Sequence, residues 1–107
     1  MSTSVLLVGD THILTWEAAH PELQRAVRSA DIALHAGDWV GTQAVEGFRK
    51  QARLSVLVHG NSDPVELRQS LPYREVLEVD QIRIGLIHPA WGREEFPPDR
   101  LLPDFPP

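Results

Sequence analysis

Short, fully apolar runs alternate with segments whose apolar residues recur every third or fourth position, and this alternation holds from Val5 to about Val58. Val5 to Val8, closed by Gly9, suits a central strand covered on both faces. Pro21 to Arg28 carries Leu23, Ala26 and Val27 at helical spacing, and Pro21 suits the first helical position, where a missing amide costs nothing. Ile32 to His35 predicts a second strand. Thr42 to Gln51, with Ala44, Val45 and Phe48 on one side, predicts a second helix that Thr42 can cap. Leu54 to Val58, apolar except for Ser55, predicts a third strand. Two successive strand, helix, strand units imply parallel pairing through right-handed crossovers, and so an α/β fold.

The pattern then changes. A short helix is expected from Val65 to Gln69, after Pro64. Tyr73 to Val79 and Ile82 to His88 are separated only by Asp80 and Gln81, too short a gap for a crossover, so they are expected to pair as an antiparallel hairpin. From Arg93 onward, Pro97, Pro98, Pro103, Pro106 and Pro107 remove amide donors too often for a helix or a central strand. The expectation is one domain over residues 1–92 and an extended proline-rich tail over 93–107, held down by Phe96, Leu101, Leu102 and Phe105.

Composition narrows the class. A chain of 107 residues with 42% hydrophobic and 23% charged residues can build one core. Its net charge of -5 disfavours non-specific nucleic-acid binding and docking on anionic membranes, which need dense Lys and Arg patches. No run reaches membrane-spanning length, and the Met-Ser-Thr-Ser start lacks the basic and apolar segments of a signal peptide, so the cytoplasm is the expected location. Without cysteine there is neither a disulfide, nor a thiolate metal site, nor a cysteine nucleophile.

Chemistry-bearing residues stand where the predicted strands end: Asp10-Thr11-His12, Gly37-Asp38, Gly60-Asn61-Ser62-Asp63, and His88. Residues at the carboxyl ends of neighbouring strands in an α/β sheet meet in one crevice. Asp10 and His12, two apart on a strand exit, can chelate one cation. Asp38 has two carboxylate oxygens with which to bridge a pair, Asn61 offers a neutral amide oxygen, and His88 completes the second set. Each of two cations would then have three protein ligands: Asp10, His12 and Asp38 on one, Asp38, Asn61 and His88 on the other. This mixed oxygen and nitrogen set suits manganese, iron, cobalt or zinc better than calcium, without choosing among them. Such a pair activates water at neutral pH and holds phosphoryl oxygens for in-line attack, so no covalent nucleophile is required.

In their order D-x-H, G-D, G-N-x-D and H, with "HAGD" and "GNSDP" as they stand here, these residues resemble the calcineurin-like metallophosphoesterases, and within them the small YfcE-type phosphodiesterases. The resemblance runs from about Val5 to about His88. It implies a β-sandwich flanked by helices, with Asp10, His12, Asp38, Asn61 and His88 as metal ligands, Asp38 bridging, Asp38 and Asn61 in catalysis, and Asn61 with Ser62 against a small phosphoester substrate. Two departures stand out. Ser62 occupies the place where much of the family has a histidine that assists the leaving group. The chain also has no histidine after His88, where the family continues to a G-H-x-H cluster, so it resembles a C-terminally shortened form of the fold.

A rival of another class is a non-catalytic scaffold of the same fold, as in the retromer subunit that resembles these enzymes. A shortened sandwich leaves apolar surface and a strand edge uncovered, which predicts a homo-oligomer, a dimer first. Other polar residues have plainer expected roles: His35 and His59 in strand packing, His20 at the start of the first helix, Asp63 as a cap or salt link at the start of the third. Trp39, Trp91 and Phe96 are expected in the core or an interface, with a substrate cleft as the other possibility.

Overall fold

The computed structural model describes residues 3–88. In chain order it forms β1 (Val5–Val8), β2 (Ile13–Thr15), a 3-10 turn (Trp16–Ala18), α1 (Pro21–Ser29), β3 (Ile32–His35), β4 (Val40–Gly41), α2 (Thr42–Gln51), β5 (Ser55–Leu57), α3 (Val65–Ser70), β6 (Arg74–Val79) and β7 (Ile82–Ile87). The tail expected over 93–107, with Trp91 and Phe96, lies outside the described residues.

Every residue of β3 is buried, and the molecule is layered about it. β3 pairs in parallel with β1 on one side, Val5 with Ile32 through Val8 with His35, and with β5 on the other, Ala33 with Ser55 through His35 with Leu57. Alternation along the strands then assigns the faces. Val8, Ala33 and Leu57 join Val27 of α1, Ala44, Val45 and Phe48 of α2, and Leu67 of α3 in one core. Ile32 and Leu34 look the other way and pack with Val58 against Leu86, Leu77, Val79 and Ile84 of the β6–β7 hairpin. Helices therefore cover one face of the parallel sheet and an antiparallel hairpin covers the other, an α/β sandwich. The hairpin shelters β3 and β5 but not β1, whose Leu7 remains 65% exposed.

Expected and observed elements differ in detail. Thr42 is the first residue of α2 rather than its cap: Gly41 occupies the cap position and no side chain caps the helix. His20 does start α1, its Nδ1 accepting a hydrogen bond from the Glu22 amide at 3.1 Å. The two-residue hairpin turn is built with positive φ at both Asp80 (49°) and Gln81 (71°), the mirror-image turn that matches strand twist. The parallel pair of β2 and β4, joined at Ile13 and Val40 and extended by a bridge from Thr15 to Gln43, is too short to leave a period in the sequence.

Candidate metal centre

β1, β3 and β5 point the same way, so the loops after them open at one end of the sheet. Two of these loops run side by side. The amide of Asp10 donates to the Gly37 carbonyl at 3.0 Å, that of His12 to Asp38 at 3.1 Å, and that of Ile13 to Trp39 at 3.0 Å. This carries the β1–β3 ladder onward into the β2–β4 pair, but with a sharp local conformation: Asp10, His12, Asp38 and Val40 all have positive φ, and at 82° the β-branched Val40 is a true outlier. The third loop presses against the second at its glycines. A β-carbon on Gly37, itself at φ 105°, would lie 2.5 Å from the Gly60 amide nitrogen, and one on Gly60 would strike the Asp38 carboxylate.

What holds the strained loop is Asp63. Its carboxylate is buried and accepts four backbone amides: Trp39 at 2.6 Å and Val40 at 2.8 Å on Oδ1, Gly60 at 2.7 Å and Asp38 at 3.0 Å on Oδ2. The cap expected for Asp63 on α3 is not formed, since no side chain caps that helix. The amides of a loop in a left-handed conformation converge as a stronger set of donors than the start of a six-residue helix. Sequence spacing marked Asp63 as a helix-start carboxylate, and nothing in it pointed to a loop twenty-odd residues upstream.

Within this frame the candidate ligands come together. Asp38 is buried, one oxygen is fixed by the Ser62 amide at 2.8 Å, and the other faces two imidazoles, His88 Nε2 at 3.3 Å and His12 Nε2 at 3.8 Å. His88 Nδ1 lies 3.8 Å from Asp10 Oδ1, and its Nε2 lies 2.9 Å from Asn61 Oδ1. Ligand atoms of Asp10, His12 and Asp38 all fall within 4.8 Å of one another. Asp10, His12, Asp38, Asn61 and His88 line one hollow of about 580 Å³ with Ala36 and Ile87. Asp10 and His12 stand at its rim, half or more exposed, while Asp38 and His88 form its floor. Ser62 is exposed beside it and reaches the cluster through its backbone amide.

The donor set fits a divalent cation. With its amide oxygen turned inward, Asn61 faces acceptors alone; turned over, its nitrogen would sit 3.2 Å from both Asp38 oxygens and 2.9 Å from His88 Nε2. The amide can therefore offer either a donor to Asp38 or an oxygen to a cation, according to which way it is turned. Two carboxylates, an amide oxygen and two imidazoles make the mixed hard and borderline set of first-row transition metals.

Other histidines do not line the hollow. His35 is fully buried and stacked on Trp39, with ring centroids 3.4 Å apart, and burial pushes its imidazole down to about 3, against an upward pull from Asp63 and a further downward push from His88. His59 Nδ1 lies 3.3 Å from the Gly60 carbonyl, and its ring is tilted on Tyr73. Trp39 belongs to the core, its Nε1 donating to the Val58 carbonyl at 3.1 Å.

A parallel sheet under helices, backed by a hairpin, gathers two carboxylates, two imidazoles and an amide at its strand ends, an arrangement suited to holding divalent metal. Residues 3–103 match the calcineurin-like phosphoesterase superfamily domain, and the chain belongs to that family. It is 33% identical over 86 residues to a probable metallophosphoesterase of Methanocaldococcus jannaschii, an alignment that takes in 77% of this chain and 41% of that protein. A Thermotoga maritima protein of known solution structure is similar with a TM-score of 0.73 and 30% identity over 96% of this chain and 66% of that one. The Vps29 of Entamoeba histolytica, crystallised with Zn²⁺, is similar with a TM-score of 0.59 and 29% identity over 78% of this chain and 47% of that one. The chain thus spans less than half the length of the curated relative it matches. No helix among the described residues is long and apolar enough to cross a membrane.

Proposed function

We propose that the protein is a metal-dependent phosphoesterase that hydrolyses a small phosphodiester or phosphomonoester at the hollow lined by Asp10, His12, Asp38, Asn61 and His88. The observation that supports this reading is the second oxygen of Asp38, which faces both His12 and His88, as a bridging ligand would. Asp10, His12 and Asp38 would hold one divalent cation, and Asp38, Asn61 and His88 another. Manganese leads the candidates, ahead of iron, cobalt and zinc. When bound, such ions supply an activated nucleophile at neutral pH and neutralise charge on the phosphoryl oxygens.

The chain's own groups would do the rest. Ser62 fixes one Asp38 oxygen through its amide and leaves the other free for the cleft, and in this reading Asn61 and the Ser62 hydroxyl would contact the substrate's phosphoryl oxygens. A serine hydroxyl is a poor general acid, so the reading favours substrates whose leaving group departs without a proton from the enzyme. The proposal extends to a cytoplasmic setting and to a homodimer, for which exposed Leu7, Leu14 and Leu54 supply apolar surface; light scattering tests the dimer, and a monodisperse monomer would contradict it.

Elemental analysis together with Mn²⁺-dependent hydrolysis of bis-p-nitrophenyl phosphate tests the main reading. Asp38→Ala should abolish metal retention and lower turnover by at least about 100-fold, the upper end of what losing a mere supporting partner costs. Turnover that survives Asp38→Ala would sink the enzyme as framed. Metal binding without turnover on any phosphoester would favour a scaffold instead, the reading to which the likeness to Vps29 lends weight.

A further inference from the structure

One buried polar chain connects two of the three site loops without supplying a ligand. The Gly37 amide donates to His35 Nδ1 at 3.0 Å, and His35 Nε2 lies 3.0 Å from Thr11 Oγ1. Because a backbone amide can only donate, Nδ1 must be the acceptor and the ring's single proton must sit on Nε2, where it is given to the Thr11 hydroxyl. The ring has little freedom to do otherwise. Trp39 stacks on it at 3.4 Å with 16° between the planes, Phe48 meets it edge-on at 5.5 Å and 88°, and no part of it is exposed.

Thr11 is the residue between Asp10 and His12. Both flanking residues have left-handed φ, 53° and 49°, a conformation that neither side chain prefers. Their amides are tied to the neighbouring loop, and among the described residues the Thr11 hydroxyl anchors this turn to the core through a side chain whose own position is fixed. Gly37, at the other end of the imidazole, immediately precedes Asp38.

We propose that Thr11 and His35 are positioning residues, a neutral strut that sets the Asp10 and His12 pair at a fixed distance and angle from Asp38. This rests on the metal-site reading above and adds to it a specific means of preorganisation. A rigid, doubly hydrogen-bonded imidazole spans the two loops where a salt bridge would introduce a charge beside the cations. Burial keeps the ring uncharged through the neutral range, so the strut neither repels a bound cation nor loosens as the pH changes near 7. Supporting partners of this kind characteristically change metal affinity by 10- to 100-fold.

The test is a Mn²⁺ titration, with the metal alone, of wild type, Thr11→Val and Thr11→Ser, each at a temperature where it is fully folded, so that lost stability does not register as lost affinity. Thr11→Val keeps the shape and removes the hydroxyl; it should weaken Mn²⁺ about 10-fold. Thr11→Ser restores the hydroxyl and should return affinity to within about twofold of wild type. Equal affinity in wild type and Thr11→Val, or a Thr11→Ser as weak as Thr11→Val, would overturn the strut while leaving the metal site standing. Failure of the wild type to bind Mn²⁺ at all would remove both. Nitrogen-15 spectra of the metal-free protein give an independent arm: His35 should carry its proton on Nε2, slow to exchange in wild type and fast in Thr11→Val, and a proton found on Nδ1 would overturn the strut whatever the metal does.

Discussion

Replacing Asp63 with asparagine removes one charge and one acceptor from a carboxylate that serves four amides. In the native loop each oxygen takes two, Oδ1 from Trp39 and Val40, Oδ2 from Asp38 and Gly60. Asparagine can offer its single oxygen to one pair only, and its amino group then points donors at the other pair. Hydrogen bonds to a charged group are worth about 1.5–3 kcal/mol each, so losing two costs about 3–6 kcal/mol before any repulsion between facing donors is added. A domain of this size has about 5–15 kcal/mol in total. Spread over a urea slope of about 1–3 kcal/mol per molar, the midpoint should fall by more than about 1 M. Loss of the tie also frees Asp38 and Val40 from their left-handed conformations, so metal affinity measured in the folded fraction should fall with it. Equilibrium urea unfolding followed by circular dichroism reads the first effect. A variant that unfolds within about 0.3 M of wild type would refute the argument, because it would show that those amides find partners without the carboxylate.

Further outcomes follow from other parts of the molecule. Inside the fold His35 is pushed down to about 3, whereas in the unfolded chain it titrates near 6.5; the unfolded state therefore binds the extra proton, and stability is full above about pH 6.5 and falls by about 1.4 kcal/mol per unit toward pH 3. His35→Gln should lack that part of the slope between pH 6 and 4, and equal slopes in urea midpoints would contradict it. Phe48 is fully buried and meets Trp16, His35 and Trp39 edge to face, so Phe48→Ala should cost about 3–5 kcal/mol by chemical unfolding. Mn²⁺ at about 100 times its dissociation constant should add about 2.7 kcal/mol, raising Tm by about 10 °C or more, and Asp38→Asn should remove the gain; a wild-type Tm that Mn²⁺ leaves unmoved would argue against the site.

Periodicity revealed the elements whose burial repeats along the chain. α2 covers Thr42–Gln51, as its apolar spacing predicts, and the β6–β7 hairpin turns at Asp80 and Gln81 because no other geometry fits a two-residue gap. β3 and β5 were visible because the sheet is covered on both faces there; β1, expected as a central strand covered on both faces, instead stands at the edge of the three strands with Leu7 open to solvent. The convergence of Asp10, His12, Asp38, Asn61 and His88 on one hollow was legible too, by their place after apolar runs, since a parallel sheet gathers whatever follows its strands. Less visible was everything that holds those residues still. β2 and β4 are three and two residues long, too short for any alternation to show. The contacts of Asp63, and that of His35 Nδ1, are with backbone amides, which every residue except proline carries, so no residue type on the donor side announces them. The left-handed φ of Val40 runs against its own preference and could only be imposed by surroundings that the sequence does not list in order.

The strand order β1-β3-β5 has a consequence for spacing. Asp10, Asp38 and Asn61 each leave from a successive strand, and adjacent strands in any sheet sit about 4.8 Å apart because peptide hydrogen bonds have one length. The strand ends from which they depart are thus spaced by the repeat of the backbone itself, while the loops beyond, held by Asp63, settle where the side chains finally stand. Substitutions at the rim leave that pitch between neighbouring strand ends untouched, because it belongs to the sheet and not to any side chain.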